Sequence, residues 1–337
     1  MKKIVGILAA AAIAASVFAA DVSAGVRIEG SLFDYKANGD IAALTFKHKN
    51  EDYHKPVSFS ISDEKAGATF HFTDKDGTAM TSTKWSIWFK PLDVLKITVG
   101  DWDTNINVET IDYNTYSGIG SAGYTLSLTP VDGLSFDLTF APGWQGNSWM
   151  SKANNADAAV AELGLKVAYS ADFGTIGAIF DAKKTFEEIK FGAGYKNTFD
   201  SLTMFVTFLG WYVKPEFAKI RAEAYAEYAA DAIKFQAFVA GGYNMIGFDP
   251  LNTWDFAYCN AAKKAFVGAK MKFSYSMDAG TFYVYVKDEN FLADAFAMTI
   301  KPGFAYNVGC MSGDIAVQFD IANKVAVSVP VSFAVSF

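Results

Sequence analysis

After its first 20 residues, the 337-residue chain has no apolar run that approaches the length of a transmembrane helix, which needs about 18 consecutive apolar residues or more. The chain also has few cysteines (2), prolines (8) and histidines (3), and only 19% of its residues are charged. Its 29 basic residues do not outnumber its 36 acidic ones, which argues against a nucleic-acid-binding protein. By contrast, 51% of the residues are hydrophobic and 16% are aromatic, a composition that excludes disorder. The apolar residues therefore belong to a core or to a membrane span.

The N-terminus has the parts of a secretory signal peptide. Lys2 and Lys3 give it a positive start, an apolar run covers 4–18, and the small residue Ala19 follows. Cleavage after Ala19 gives a signal peptide of residues 1–19 and a mature domain of residues 20–337 with a charge of −9, because 27 basic residues (29 − 2) remain against 36 acidic ones. Cleavage after Ala24 is the alternative. We therefore predict an exported protein.

Hydrophobic residues alternate with small or polar residues along most of the mature chain. The clearest case is 325–337, where valine or phenylalanine occupies every second position. The same period of two occurs at 124–128, 134–140, 163–169 and 315–321. This period is typical of β-strands with one apolar face. It predicts an all-β protein.

Three features favour a membrane β-barrel over a soluble β-sandwich, which also shows alternation. Most of the predicted spans have about 9–12 residues, the length that a tilted strand needs to cross a bilayer. Short turns such as 130–133 and 276–280 alternate with long loops at 102–121, 142–157 and 244–263, as they do in outer-membrane barrels. Aromatic residues at the span ends are expected to form girdles at the membrane surfaces: Trp102, Tyr169, Trp211, Tyr212, Tyr228, Tyr243 and Tyr275.

The number of predicted spans is odd, whereas a bacterial barrel needs an even number of strands. The alternation marks nineteen of them, at about 25–34, 40–49, 56–62, 66–73, 82–90, 94–102, 121–130, 133–141, 158–169, 173–181, 187–196, 201–211, 217–228, 232–243, 265–275, 280–288, 294–307, 313–321 and 325–337. Bacterial single-chain barrels have an even number of strands. Because turns and loops alternate regularly after Asp74, the error is expected before that residue, with the short pair Val57–Ile61 and Ala68–Phe72 most suspect. We predict a transmembrane antiparallel up-and-down β-barrel of about 18 strands, with 16 as the alternative.

The signal peptide, the repeated amphipathic hairpins and a last strand that ends in phenylalanine resemble the porin-type outer-membrane β-barrel proteins of two-membrane (Gram-negative-type) bacteria. The resemblance implies a location in the cell outer membrane, contact with its lipid, and handling by periplasmic chaperones and the barrel-assembly machinery. Phe337, with Val335 and Phe333, matches the assembly signal of that class. A homo-oligomer is compatible with the resemblance, although the sequence shows no distinct interface strip. Pro330 departs from the strand pattern and predicts a bulge or an unpaired position, because proline lacks the N–H that a ladder needs.

The polar face of each strand must point into a closed barrel, because hydrocarbon cannot solvate it. By this alternation basic residues face the lumen more often than acidic residues, many of which fall in loops. The candidate lumen-lining residues are Lys84, Lys90, Lys96, Lys166, Lys190, Lys219, Arg221, Lys234, Lys270, Lys272 and Lys287. Rings of lysine favour anions, which predicts a weak anion preference. Lysines that are solvated, or paired with a neighbour such as Glu223, would instead give no selectivity.

The predicted function is the passive diffusion of small hydrophilic solutes through an outer-membrane pore, without enzymatic activity. The alternative is a surface-exposed structural or adhesin barrel whose loops bind a host or envelope partner, but such a protein does not need a lysine-lined interior. Two arrangements of loop 102–121 stay open: inward folding, which narrows the pore, and an external position. We find no pattern for a catalytic, cofactor or metal site. Cys259 and Cys310 are predicted to lie on opposite sides of the membrane and therefore not to pair.

Overall fold

The computed structural model describes residues 20–48, 57–74, 80–101, 104–109, 114–119, 123–141, 162–183, 186–244, 264–288, 291–292 and 297–336. These residues form 22 β-strands: β1 (Ala20–Tyr35), β2 (Ile41–His48), β3 (Val57–Ser62), β4 (Ala66–Asp74), β5 (Met80–Leu92), β6 (Leu95–Asp101), β7 (Thr104–Glu109), β8 (Asn114–Ile119), β9 (Gly123–Val131), β10 (Leu134–Ala141), β11 (Glu162–Ala171), β12 (Gly174–Lys183), β13 (Glu188–Phe199), β14 (Leu202–Val213), β15 (Glu216–Ala230), β16 (Ile233–Asn244), β17 (Lys264–Met277), β18 (Gly280–Asp288), β19 (Met298–Val308), β20 (Met311–Ala316), β21 (Gln318–Ile321) and β22 (Val325–Ser336). No helix within these ranges is long and apolar enough to cross a membrane.

Twenty of the described strands form one antiparallel sheet, while β7 and β8 form a separate hairpin. Most strands that follow one another along the chain are paired, and β6 pairs with β9 past the hairpin. The last strand, β22, pairs with the first, β1, from Gly25 opposite Ser336 to Tyr35 opposite Val327. Because the two ends of the sheet are joined, the sheet closes into a barrel, which confirms the predicted fold.

Two positions in the barrel wall are each occupied by two short strands. β2 and β3 pair with successive stretches of β1, at Ile28–Tyr35 and at Ala20–Ala24. β20 and β21 pair with successive stretches of both β19 and β22. The twenty described strands of the sheet therefore fill eighteen wall positions (20 − 2 = 18). The predicted spans 40–49 and 56–62 are two parts of one wall strand, whereas β4, part of the suspect pair, is a strand of its own.

The connections alternate between the two ends of the barrel. One end, called the short-turn end below, holds the turns 63–65, 93–94, 132–133, 172–173, 200–201, 231–232, 278–279 and 309–310. The opposite end, called the long-loop end, holds the connection that contains the β7–β8 hairpin. Most of the predicted loops 142–157 and 244–263 lie outside the described residues. The turns of the short-turn end are short as predicted, whereas the connections 214–215 and 322–324 at the long-loop end are short as well.

The closing strand is irregular at Pro330, as its missing N–H predicts. Pro330 lies opposite Ser31, and the register between β1 and β22 shifts between Ser31 and Asp34. The hydroxyl of Ser31 donates to the carbonyl oxygen of Val329 at 3.3 Å. On the other side of β22, the break between β20 and β21 falls at Val317, next to the same stretch. The wall therefore bends here on both flanks of β22 while pairing continues above and below.

Each wall strand has one apolar and one polar face. On β15, Lys219, Arg221 and Glu223 are buried, whereas Ala222 and Ala224, on either side of Glu223, are exposed. Side chains on the concave side of a barrel crowd together and those on the convex side point apart, so the buried polar face is the inner face. The outer face exposes large apolar side chains, which include Val206, Phe235, Met271, Phe273 and Phe282. This distribution is the reverse of a water-soluble protein and suits a barrel that is surrounded by lipid.

The exposed tyrosines form two groups on the outer face. Tyr169, Tyr228 and Tyr275 lie near the short-turn end, and Tyr243 lies near the long-loop end. Tyr212, also near the long-loop end, packs edge-on against Phe217 with ring centres 5.6 Å apart. These positions agree with the predicted girdles, and Trp102 lies outside the described residues. Trp211 does not belong to a girdle, because it lies on the inner face opposite Lys190.

Candidate functional site: the basic inner face of the barrel

The cross-strand pairs show which residues of neighbouring strands lie on the inner face. Residues that pair directly in an antiparallel ladder project from the same side of the sheet. One row of such pairs runs Lys96–Ser127–Asp137–Lys166–Ile179–Gly192–Leu209–Arg221–Gly242–Phe266. A second row, further towards the long-loop end, runs Thr98–Thr125–Thr139–Gly164–Asp181–Lys190–Trp211–Lys219.

The predicted site residues that the structure describes share this face. They are Lys90, Lys96, Lys166, Lys190, Lys219, Arg221, Lys234, Lys270, Lys272 and Lys287, all of them buried or half-buried. Lys84 belongs to β5 opposite His71, but its side chain lies outside the described part of the chain. Lys270 pairs directly with Lys287, and Lys272 shares a row with Tyr285 and Lys301. The strands β17, β18 and β19 therefore carry a group of four lysines, called the β17–β19 lysines below: Lys270, Lys272, Lys287 and Lys301.

The most deeply buried charges of the inner face lie on β12 and β15. Asp181 is 1% exposed, Glu223 4% and Lys219 7%. Arg221 and Glu223, two residues apart on the same face of β15, form an ion pair. Charges this deeply buried are stable only when they are paired or hydrogen-bonded, so this part of the inner face is a fixed polar structure.

A second carboxylate neutralises a lysine near the short-turn end. Lys234 Nζ lies 3.0 Å from Glu227 Oε2. The same oxygen accepts hydrogen bonds from the hydroxyl of Tyr225 at 2.7 Å and from the amide of Gln236 at 2.9 Å. The prediction of neighbouring acids that pair with inner basic residues therefore holds for Arg221 and Lys234.

Several lysines lie over aromatic rings of the same face. The Nζ of Lys96 is 4.7 Å from the ring centre of Trp88, and the Nζ of Lys190 is 4.8 Å from that of Trp211. Such contacts contribute about 0.5–1 kcal/mol at exposed sites and more where water is excluded. The prediction that Trp211 belongs to a membrane girdle is wrong, because its place in the alternation of β14 puts it opposite Lys190 and Lys219. Trp211 is a lysine-stacking residue of the inner face.

The inner face also carries a cluster of aromatic side chains that is not among the residues predicted from the sequence. The cluster is buried and consists mainly of Phe205, Tyr225, Phe238, Phe266, Tyr283 and Tyr285. The signal was present, because all of these residues except Phe205, whose strand has no lysine, have the same parity as the lysines of their own strands. Sorting only the charged residues by parity left them out. The inner wall is therefore basic and aromatic at once.

Glycines make room for the inner aromatic rings. Tyr283 lies directly against its cross-strand partner Gly303, where a Cβ atom would collide with the ring. Phe266 lies against its partner Gly242 in the same way. The position of Tyr283 is fixed further by its hydroxyl, which donates to Asp314 Oδ1 at 2.9 Å. Lys272 lies 4.6 Å from the centre of this ring. Lys272 therefore lies over a ring whose position is fixed by Gly303 and Asp314.

The segment that was predicted as loop 102–121 contains a β-hairpin. Thr104–Glu109 and Asn114–Ile119 pair in register, with Thr104 opposite Ile119. The hairpin leaves the wall between β6 and β9, and β8 comes close to β12, three wall positions beyond β9. The hairpin therefore does not stand straight up from the strands that carry it.

The described residues contain no group of three or more metal-ligating side chains. Cys310 has a free thiol and is exposed in the turn between β19 and β20. Cys259, its predicted non-partner, lies outside the described residues.

Comparison with known proteins identifies the fold through structure alone. No protein-family description matches the sequence, and no curated protein sequence matches it either. Solved outer-membrane porins of Pseudomonas aeruginosa are similar in structure over nearly the whole chain. OccK2 (OpdF) in complex with glucuronate has a TM-score of 0.60 at 8% identity and covers 94% of this chain and 98% of its own. The outer membrane protein OpdK has a TM-score of 0.56 at 8% identity, with 94% and 99% covered, and OpdQ has 0.58 at 10% identity, with 95% and 98% covered.

The fold is that of a porin-type outer-membrane β-barrel. The predicted resemblance is confirmed at this level. The barrel covers the described chain from β1 to β22, and the solved barrels match it almost from end to end.

Proposed function

We propose that the protein is a pore of the cell outer membrane through which small hydrophilic solutes diffuse passively, with a weak preference for anions. In this proposal residues 1–19 are a cleaved signal peptide and residues 20–337 form the barrel. The observation that carries it is the sorting of side chains, with lysines on the inner face of a closed wall and large apolar residues exposed on the outer face. The polar inner face gives solutes a hydrated path, because a wall of this many strands leaves an aqueous channel unless it is plugged.

The anion preference rests on the β17–β19 lysines. They lie on three adjacent strands, and Lys270 and Lys287 are direct cross-strand neighbours. Like charges that face one another are each stabilised by an anion that comes between them. One of the similar structures contains glucuronate, a sugar with a carboxylate. Small organic acids and sugars are accordingly the solute class that we propose for this barrel.

The β7–β8 hairpin is the proposed constriction. It begins at the long-loop end, and its strand β8 approaches β12. Asp181, which belongs to the same strand β12, is almost completely buried although it faces the lumen. A hairpin that reaches across the mouth of the channel would shield it from solvent and reduce the open cross-section.

The partners implied by the resemblance belong to the same proposal. The last strand would be read by the barrel-assembly machinery after delivery by periplasmic chaperones. Phe333 is exposed on the outer face of β22, Val335 is half-buried on that face, and Phe337 lies outside the described residues. A homo-oligomer remains part of the proposal as well.

Liposome swelling tests the proposed pore. Refolded protein in liposomes should admit small neutral sugars, and the rate should fall as the sugar becomes larger. Liposomes that received heat-unfolded protein serve as the control. A swelling rate equal to that of the control would contradict the pore and favour a closed structural or adhesin barrel.

A further inference from the structure

Seven of the eight described turns at the short-turn end contain an aspartate. These turns follow one another around the barrel at every second strand, so the aspartates are spread over the rim. The eighth turn contains Gly309 and Cys310 instead. The seven residues, called the rim aspartates below, are Asp63, Asp93, Asp132, Asp172, Asp200, Asp231 and Asp278.

The needs of the turns do not account for this charge. Asparagine serves the same turns as aspartate, because both residues bond to the nearby backbone and tolerate a positive φ. Asp200 and Asp231 do have positive φ values, of 48° and 49°. Yet none of the eight described turns contains asparagine. The choice of aspartate at seven turns therefore points to a use for the negative charge.

The rim aspartates are solvent-exposed, and basic residues hardly offset them. The eight turns contain eight carboxylates (the seven rim aspartates and Glu64) against one lysine, Lys65. Asp63 Oδ1 accepts hydrogen bonds from the backbone N–H groups of Lys65 and Ala66, at 2.7 Å each. These bonds lower the pKa of Asp63 below its usual value, so this carboxylate keeps its charge in mild acid as well.

The wall inside this rim has the opposite sign. Lys270 lies on the inner face near the middle of β17, and Lys287 is its direct cross-strand neighbour. A solute that travels along the barrel therefore meets a basic zone and an acidic zone in series. Charged walls concentrate ions of opposite sign, so the lysine zone is rich in anions and the rim is rich in cations.

We propose that these two zones make the pore a rectifier, which conducts better when the short-turn side is positive. This inference rests on the proposed pore function. With that polarity, cations enter through the acidic rim and anions enter through the basic zone, so that both kinds of ion accumulate where the zones meet. With the opposite polarity, each ion must first enter the zone that repels it, and the junction is depleted.

The rectification depends on ionic strength. Fixed charges act over a Debye length of about 10 Å at 0.1 M salt but only about 3 Å at 1 M. The ratio of the currents at equal and opposite voltages should therefore exceed one at the lower concentration and fall towards one at the higher.

Cys310 allows the rim charge to be changed without altering a strand. It lies in the one described turn of this end that lacks an aspartate, and its thiol is exposed and free. In a Cys259→Ser variant, methanethiosulfonate reagents form a mixed disulfide with Cys310 and release methanesulfinate. A reagent that carries a sulfonate completes the ring, and one that carries a trimethylammonium group opposes it. Thiol reagents that are too large to pass through the pore also report the orientation of the inserted barrel, because they reach Cys310 only from the short-turn side.

The test is the current–voltage curve of single barrels in a planar bilayer. The sulfonate label should raise the current ratio, the trimethylammonium label should lower it, and a neutral methyl label should leave it unchanged. The combined variant Asp93→Asn, Asp132→Asn, Asp172→Asn and Asp278→Asn should also lower it. Asp40→Asn, in a turn at the long-loop end, is the matched control and should keep the wild-type ratio. A current ratio that stays the same with every label and in the combined variant would overturn the proposal. An absence of any conductance would instead refute the pore itself.

Discussion

Arg221 and Glu223 lie on the inner face of β15 and form an ion pair there, with side chains that are 10% and 1% exposed. Removing one member of a buried pair leaves the other charge uncompensated. Arg221→Met should therefore lower the free energy of unfolding by about 3 kcal/mol or more. The double variant Arg221→Met with Glu223→Gln should lose less, because no unpaired charge remains. Urea unfolding in lipid vesicles measures both, and a single variant as stable as the wild type would show that the pair is not the anchor of this region.

Tyr283 lies against Gly303, and its hydroxyl is fixed on Asp314. Gly303→Ala should push the ring off its position beneath Lys272, since the new Cβ atom collides with it. We expect a loss of stability of about 1–3 kcal/mol, as for overpacked cores in general. Gly241→Ala is the matched control, because a Cβ atom there meets only ordinary contacts at 3.4 Å or more. Equal unfolding free energies for the two variants would contradict the close fit.

At the scale of the element, the β7–β8 hairpin leaves the wall between β6 and β9 and approaches β12. Replacing residues 104–119 by a short glycine–serine linker should raise the single-channel conductance, because the constriction is removed while the wall pairing of β6 with β9 is kept. A linker of the same kind in the turn 322–324 controls for the effect of loop replacement. Unchanged conductance after removal of the hairpin would place it outside the lumen.

The last strand closes the barrel, since β22 pairs with β1 over Gly25–Tyr35. If Phe337 is part of the assembly signal, its deletion should reduce the folded fraction in the outer membrane. The folded fraction is read from the mobility of unheated samples in gel electrophoresis. Deletion of Phe337 should have little effect on refolding of the purified chain into detergent, where no assembly machinery is present. An equal loss in both settings would indicate a role in stability and not in recognition.

At the scale of the whole molecule, the alternation of residue types predicted most of the wall, because lipid outside and water inside impose one period on every strand. The alternation does not predict which spans share a wall position, because that depends on the register between strands. The spans 40–49 and 56–62 each look like a strand, but only the register with β1 shows that they share one wall position. Its residue type predicts a girdle position for Trp211, whereas its parity assigns it to the lysine face. The aromatic cluster was missed for the same reason.

The pairing of inner charges was also only partly predictable. The neighbours Arg221 and Glu223 are two residues apart in the sequence, so their proximity follows from a single strand. The contact between Lys270 and Lys287 depends on the register of two strands, which the sequence does not state. The grouping of the β17–β19 lysines therefore became visible only in the folded barrel.

The zero-current potential of the refolded protein in a planar bilayer with a salt gradient tests the central claim most directly. The account predicts measurable conductance with a potential of the sign that weak anion selectivity gives. That potential should move towards zero when Lys270, Lys272, Lys287 and Lys301 are all replaced by glutamine, and it should not move when the exposed turn residues Lys36 and Lys324 are replaced in the same way. Clear cation selectivity of the wild-type protein, or no conductance at all, would contradict the account.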